Sequence, residues 1–445
     1  MHPAAVTSQA LGMPAMWIAS ALLIATYAAV ISERVNRAVI ALFGAGLMIV
    51  LGVITQEKAV DGVDFNTIGL LIGMMIIVAV ARRTGIFEYL AIRSAKLVKA
   101  NPAAIMLMLQ IITAVVSALL DNVTTVLLMV PVTLVICQRL EVKPYPFLVA
   151  QVFAANIGGT ATLIGDPPNI LIGSRVGISF NAFLVNLAPA IVVIQLAACA
   201  IIHVLWGRTL TTTLRARARV MAFDERSAIV DPGLLVKSLS VLATVIFGFT
   251  LAPTLGTEPA TIALFGAATL LLLSCLGQPT ETQTRTVTKT FEEVEWITIF
   301  FFIGLFIIIY GVESTGVLTI LANTLLAATH GDVHATAIAI LWASAVLSSI
   351  VDNIPFVATM IPLVQEMAPT FGGPEGLMPL WWALSLGACL GGNGTMIGAS
   401  ANLIVAGLAE QAGIRFGFMA YMKIAYPVML LTVALAMIYL ELRYL

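Results

Sequence analysis

SALLDNVTTVLLMVP, Ser117 to Pro131, and SSIVDNIPFVATMIP, Ser348 to Pro362, decide how this chain is read. Ser117, Asp121, Asn122, Val126, Met129 and Pro131 each meet the same residue 231 positions later. A second pair follows in register: GGTATLIGDPPN, Gly158 to Asn169, matches GGNGTMIGASAN, Gly391 to Asn402, at an offset of 233. Two ordered matches with nearly one offset point to an internal repeat. The polar stretch Arg208 to Lys237 lies between the halves. The expected organisation is therefore a first repeat over 1–207, a cytoplasmic linker over 208–237 and a second repeat over 238–445.

Composition fixes the class. Of 445 residues, 60% are hydrophobic and 10% charged, against about 25% charged in soluble domains. Mean hydropathy is +1.03 and net charge −1. This excludes a soluble enzyme and intrinsic disorder, and 22 basic residues balanced by 23 acidic ones exclude a nucleic-acid binder. A hydrocarbon core about 30 Å thick takes roughly 20 apolar residues per helix, which leaves room for about ten spans. The runs are continuously apolar rather than alternating, so they read as helices and not barrel strands. Met1 to Met16 lacks the basic and small-residue features of a cleaved leader, so the first run, Trp17 to Ile31, reads as a retained span. Cys137, Cys199, Cys275 and Cys389 show no CxxC spacing, and His330 and His334 have no third ligand nearby. No metal site, cofactor or disulfide framework is expected. Trp381 and Trp382 read as interfacial anchors, Glu88 to Lys99 as an amphipathic surface helix, and Pro279 to Glu295 as a solvated connector.

Charge orients the halves. Arg82, Arg83, Arg93, Lys96 and Lys99 follow the run Thr67 to Ala81, whereas no Lys or Arg occurs anywhere from Thr290 to Ile414. Basic residues mark cytosolic ends. The halves are thus expected to be inverted about an axis in the membrane plane, as in secondary transporters. The segments 103–136 and 335–364, interrupted at Asp121-Asn122 and Asp352-Asn353, read as re-entrant hairpins entering from opposite faces. The fold class expected is all-α and polytopic, with about ten transmembrane helices plus two hairpins, broken helices at 146–173 and 380–408, and both termini outside.

The chemistry should sit at the interruptions. A carboxylate in apolar sequence costs at least about 2.5 kcal/mol, so Asp121 and Asp352 need a reason; each can also cap the helix that follows it. Gly158, Gly159, Gly165, Gly391, Gly392 and Gly398 let backbone approach a solute, and Pro167-Pro168 stops a helix after Asp166. Thr160, Thr162, Asn169, Asn393, Thr395 and Asn402, with Asn122 and Asn353, supply neutral donors and acceptors. Asp166 has no acidic counterpart, since Ala399 holds its place. Asp121, Asp166 and Asp352 are the expected proton- or cation-coupling carboxylates. The absence of Arg or Lys beside either tip argues against a dicarboxylate solute, and no nucleotide-binding loop is present.

These segments, with their flanks DNVTTVLLMVPVT, GGTATLIGDPPNILIGS, VDNIPFVATMIPLV and GGNGTMIGASANLIVAGLAE, resemble the ion transporter superfamily. The likeness is to the branch holding the arsenical pump membrane proteins, the P protein and sodium/proton antiporters, and spans about Val39 to Pro427. The resemblance implies an elevator-type secondary transporter in a bacterial cytoplasmic membrane, a homodimer, and room for a separate ATPase subunit. The activity expected first is arsenite or antimonite efflux in exchange for protons. A sodium/proton antiporter is the alternative.

Overall fold

The computed structural model describes residues 9–10, 13–32 and 34–445; the leader expectation for Met1 to Met16 falls mostly outside them. Without water to bond to, apolar segments must close their backbone hydrogen bonds internally. They do so as helices, beside one two-residue strand pair, Gln9–Ala10 with Met13–Pro14. The first half holds α1 (Ala15–Ile31), α2 (Arg37–Val50), α3 (Gln56–Asp61), α4 (Phe65–Arg82), α5 (Ile86–Leu97), α6 (Pro102–Leu119), α7 (Asn122–Leu140), α8 (Tyr145–Gly159), α9 (Pro167–Val176) and α10 (Phe180–Ile202). After α11 (Leu214–Met221), the second half holds α12 (Pro232–Leu255), α13 (Pro259–Cys275), α14 (Thr280–Glu292), α15 (Trp296–Glu313), α16 (Val317–Ala328), α17 (Val333–Ser348), α18 (Asn353–Gln365), α19 (Met378–Gly391), α20 (Ser400–Gln411) and α21 (Phe418–Arg443).

Matching helices run in opposite directions. Helix α4 lies against α15 head to tail: Gly62, before α4, meets Tyr310 near the end of α15, while Arg83, after α4, pairs with Glu293 before α15 at 3.0 Å. Helices α5 and α16, which follow them, therefore lie at opposite ends of the molecule. Each hairpin doubles back to the short helix that precedes it. On one side Arg139 of α7 stacks on Phe223, next to Glu225, which takes Arg93 and Lys96 of α5. On the other, Thr319 of α16 bonds Glu366 at the end of α18 at 2.9 Å.

Among the described residues, seven helices, α4, α6, α7, α10 with its extension to Gly207, α12, α15 and α21, are long and apolar enough to cross a bilayer; α1, α2, α13 and α18 are apolar but shorter. Two of the seven, α6 and α7, are hairpin arms. Each broken pair, α8 with α9 and α19 with α20, is one apolar run divided by seven to eight irregular residues. The prolines act differently from expectation: α8 already ends at Gly159, and Pro167-Pro168 open α9, where their missing N–H groups would have had no helical partner. Two further expectations are corrected. Trp381 and Trp382 are 1% exposed, with Phe183 edge-on to Trp382 at 5.3 Å, so they pack the core of α19 rather than anchor at an interface. Pro279 to Glu295 is largely solvent-exposed, as a connector should be, but is mostly helical, as α14, rather than a loop.

The repeats close by the same contacts. The Ser117 hydroxyl donates to the Ala155 carbonyl at 2.6 Å, and Ser348 to that of Ala388 at 2.7 Å. Thr162 donates to the Ala118 carbonyl at 2.6 Å, and Thr395 to that of Ser349 at 2.5 Å. At Gly158 an added Cβ would stand 2.2 Å from the Ala114 carbonyl oxygen, and at Gly391 2.5 Å from that of Ala345.

Gly158→Ala and Gly391→Ala should each lower stability by about 1–3 kcal/mol through overpacking, read as a fall in melting temperature of the purified protein. Gly407→Ala, which has open space around its Cβ, should not. On the linker side, a bond from Lys96 holds the Glu225 carboxyl down to about 2. Its contribution is present above the ordinary value of 4.5 and lost as pH falls towards 2. Limited proteolysis within 208–228 should be unchanged above pH 4.5 and accelerate as pH falls through that window.

Candidate functional site

The two hairpin tips are built by their own first residues. Asp121 precedes α7 and accepts the Thr124 N–H at 2.8 Å; Asp352 precedes α18 and accepts the Ile354 N–H at 3.1 Å. Each carboxylate thereby satisfies a helix-end donor that has no partner within the helix. Thr124 also donates its hydroxyl to Asp121 at 2.5 Å.

The broken segments are held by asparagines used alike in both halves. The Asn169 amide donates to the carbonyls of Thr160 and Thr162 at 3.1 and 2.9 Å, and that of Asn402 to Gly392 and Thr395 at 2.7 and 2.8 Å. Thr160 donates to the Asn156 carbonyl at 2.7 Å. Asn156 bridges the halves at their centre: it donates to Asn393 at 3.0 Å and Asn402 at 2.8 Å, and accepts from Asn122 at 3.1 Å. Gly158, Gly159, Gly165, Gly391, Gly392 and Gly398 form the packed backbone of this centre. Gly159 and Gly165 abut one another, as do Gly392 and Gly398.

Asp166 is wholly buried between the halves. Asn353 donates to its Oδ1 at 3.3 Å, the Cys389 thiol lies against the carboxylate, and Oδ2 makes no hydrogen bond among the described residues. Asn122 Oδ1 and Asn393 Nδ2 are buried without partners as well. The centre thus presents a carboxylate oxygen and a carboxamide oxygen as unused acceptors, and one unused donor.

Arg37, from the start of α2, is the residue the sequence does not single out. It pairs with Asp352 at 3.1 Å, donates to Ser400, and reaches Thr298 at 3.1 Å while its guanidinium lies over Phe301, 5.2 Å from the ring centroid. Ser400 donates to the same Asp352 oxygen at 2.8 Å. The expectation of no basic residue at either tip is therefore corrected for Asp352, because a helix 315 positions away supplies the charge. Arg37, Asp352 and Ser400 line an open cavity of about 370 Å³, with Arg34, Asn36 and an apolar wall including Ile297 and Leu403. Beyond it, a space of about 10 Å³ lies among Arg37, Asp121, Glu295, Thr298 and Ser400. Such a volume holds about one water-sized particle. Ser385, which the sequence does not single out, and Cys389, read there as one of four unpaired cysteines, approach Asn169 Oδ1 at 2.5 and 3.6 Å.

Comparison with known proteins accords with this architecture. Residues 27–387 match the family described as citrate transporter. An uncharacterized transporter of Mycobacterium tuberculosis is 46% identical over 431 residues, covering 96% of this chain and 98% of its own. The human P protein is 33% identical over 507 residues, covering 95% of this chain and 59% of its own. In fold, the chain is similar to the YdaH transporter of Alcanivorax borkumensis, whose crystal structure is described as having an unusual topology. The TM-score is 0.61 at 11% identity, with 96% and 98% of the two chains covered.

Arg37→Gln removes the ion pair and leaves the Asp352 cap in place. It should weaken the tip by about 1 kcal/mol, the value of a partly exposed charged bond. Hydrogen exchange at Val351 to Asn353 should rise accordingly while exchange at Asp121 to Val123 stays unchanged.

Proposed function

Because the chain belongs to the citrate transporter family, we propose that this transporter is a secondary active antiporter that exchanges protons for a monovalent cation at Asp166. One observation carries the reading: a fully buried carboxylate has one oxygen bonded by Asn353 and the other without a hydrogen bond among the described residues. An orphaned buried acceptor costs about 1–3 kcal/mol, and more when charged. A bound proton or a dehydrated cation removes that cost. The charges nearby agree, since Asp121 and Glu295 line the small space beside Arg37, which itself pairs with Asp352, so that carboxylates outnumber the one cation there. The cavity ending on Asp352 supplies the path from one side.

In this reading the hairpins and broken helices move together against a frame of α1, α2, α4, α12, α13 and α15, and the Arg37 contacts hold one end state. The protein sits in a bacterial cytoplasmic membrane, both termini outside, with the Arg34 end of the cavity cytosolic. The carboxamides that suit a neutral arsenite or antimonite trihydroxide are largely engaged with backbone carbonyls and with one another, which favours the cation over arsenic. A second reading has its own observation. Arg34 and Arg37 on the open cavity fit an anionic carboxylate, such as the citrate in the family's description.

Proteoliposomes enclosing a pH-sensitive dye separate these. Sodium is expected to drive proton movement, and Asp166→Asn to reduce it at least about tenfold with folding intact. Full flux in Asp166→Asn overturns the assignment; proton movement driven by citrate but not sodium selects the second reading, and movement driven by arsenite alone restores efflux of arsenic.

A further inference from the structure

The two halves share many of the bonds at their centres, and two of the places where they depart from one another are adjacent. Asn156 donates to Asn402, and its repeat-related residue, Cys389, approaches Asn169, the counterpart of Asn402. In the first half the tip residue Asn122 donates to the Asn156 carboxamide. The equivalent bond in the second half would run from Asn353 to position 389, where a thiol is a poor acceptor. Asn353 instead reaches across to Asp166 Oδ1. The second break coincides with the first: Asp166 has Ala399 as its counterpart.

We propose that Cys389 is a positioning residue that acts through Asn353, and that together with Ala399 it confines the ion to one of two repeat-related positions. This rests on the cation reading above and deepens it. With a carboxamide at 389, Asn353 would be held within its own half, as Asn122 is, and Asp166 would lose its orienting donor. With the thiol, which itself lies against Asp166, Asn353 is free to fix one oxygen of that carboxylate and leave the other buried without a hydrogen bond among the described residues. The repeat-related place, having alanine, offers no carboxylate. The transporter therefore binds one monovalent cation or proton at this centre, although its repeats offer two frames.

The test is a double-mutant cycle on sodium-driven proton flux in proteoliposomes of the full chain, reading apparent sodium affinity and maximal rate separately. Cys389→Asn and Asn353→Ala are each expected to weaken apparent sodium affinity about tenfold with the maximal rate largely kept, and the double variant to be no weaker than either, since both remove one bond. The wild-type sodium dependence should have a Hill slope near one. Losses that multiply to about a hundredfold, an unchanged affinity in Cys389→Asn, or a wild-type slope near two would overturn the proposal. If Cys389→Asn does not fold, Asn353→Ala and the wild-type slope decide it. Full flux in Asp166→Asn would sink the underlying cation reading, whereas a defective Asp166→Asn beside multiplying losses sinks this inference alone.

Discussion

A helix broken inside hydrocarbon leaves carbonyl and N–H groups that water cannot reach, and the rest of the centre follows from how these are satisfied. Asn169 and Asn402 each donate two bonds to the carbonyls of their own broken segment. The two breaks are tied together by Asn156, whose carboxamide bonds to Asn393 and Asn402 in the other half and receives Asn122 from the first tip, and by Ser385, which donates to Asn169. Neutral groups thus close the backbone, and the carboxylate of Asp166 is left with an unused oxygen.

Repetition builds the frame and asymmetry gives it chemistry. The paired serine, threonine and glycine contacts recur in both halves because each must dock a hairpin on a broken helix at the same close distance. The differences, Asp166 against Ala399 and Asn156 against Cys389, gather around one point. Arg37 adds a third. It ties a hairpin tip to α2 and α15, elements outside the hairpins and broken helices, and so couples the centre to its surroundings.

Much of this is legible in the sequence because identical residues at one offset survive where the geometry admits nothing else: a glycine under a carbonyl, an asparagine capping a break. The opposite directions of α4 and α15 follow from basic residues present after one and absent after the other. What escapes is contact that has no repeat partner. Arg37 stands at the start of an apolar run far from Asp352 in sequence, and comparing the halves assigns nothing to it. The tryptophans mislead for a related reason: two adjacent indoles suit an interface by composition, and only the packing of α9, α10 and α19 reveals that they are covered. The prolines mark the break correctly and its polarity wrongly, since proline both ends and begins helices.

The central claim is that both tips serve one polar centre that opens to either side of the membrane in turn. The most direct measurement places a single reactive cysteine at Ser400, beside Asp352 on the open cavity, in a background lacking Cys275. A membrane-impermeant maleimide is then applied to vesicles of each orientation during turnover. Alternating access predicts labelling from both faces, faster from the Arg34 side. Labelling confined to one face under every gradient would contradict it.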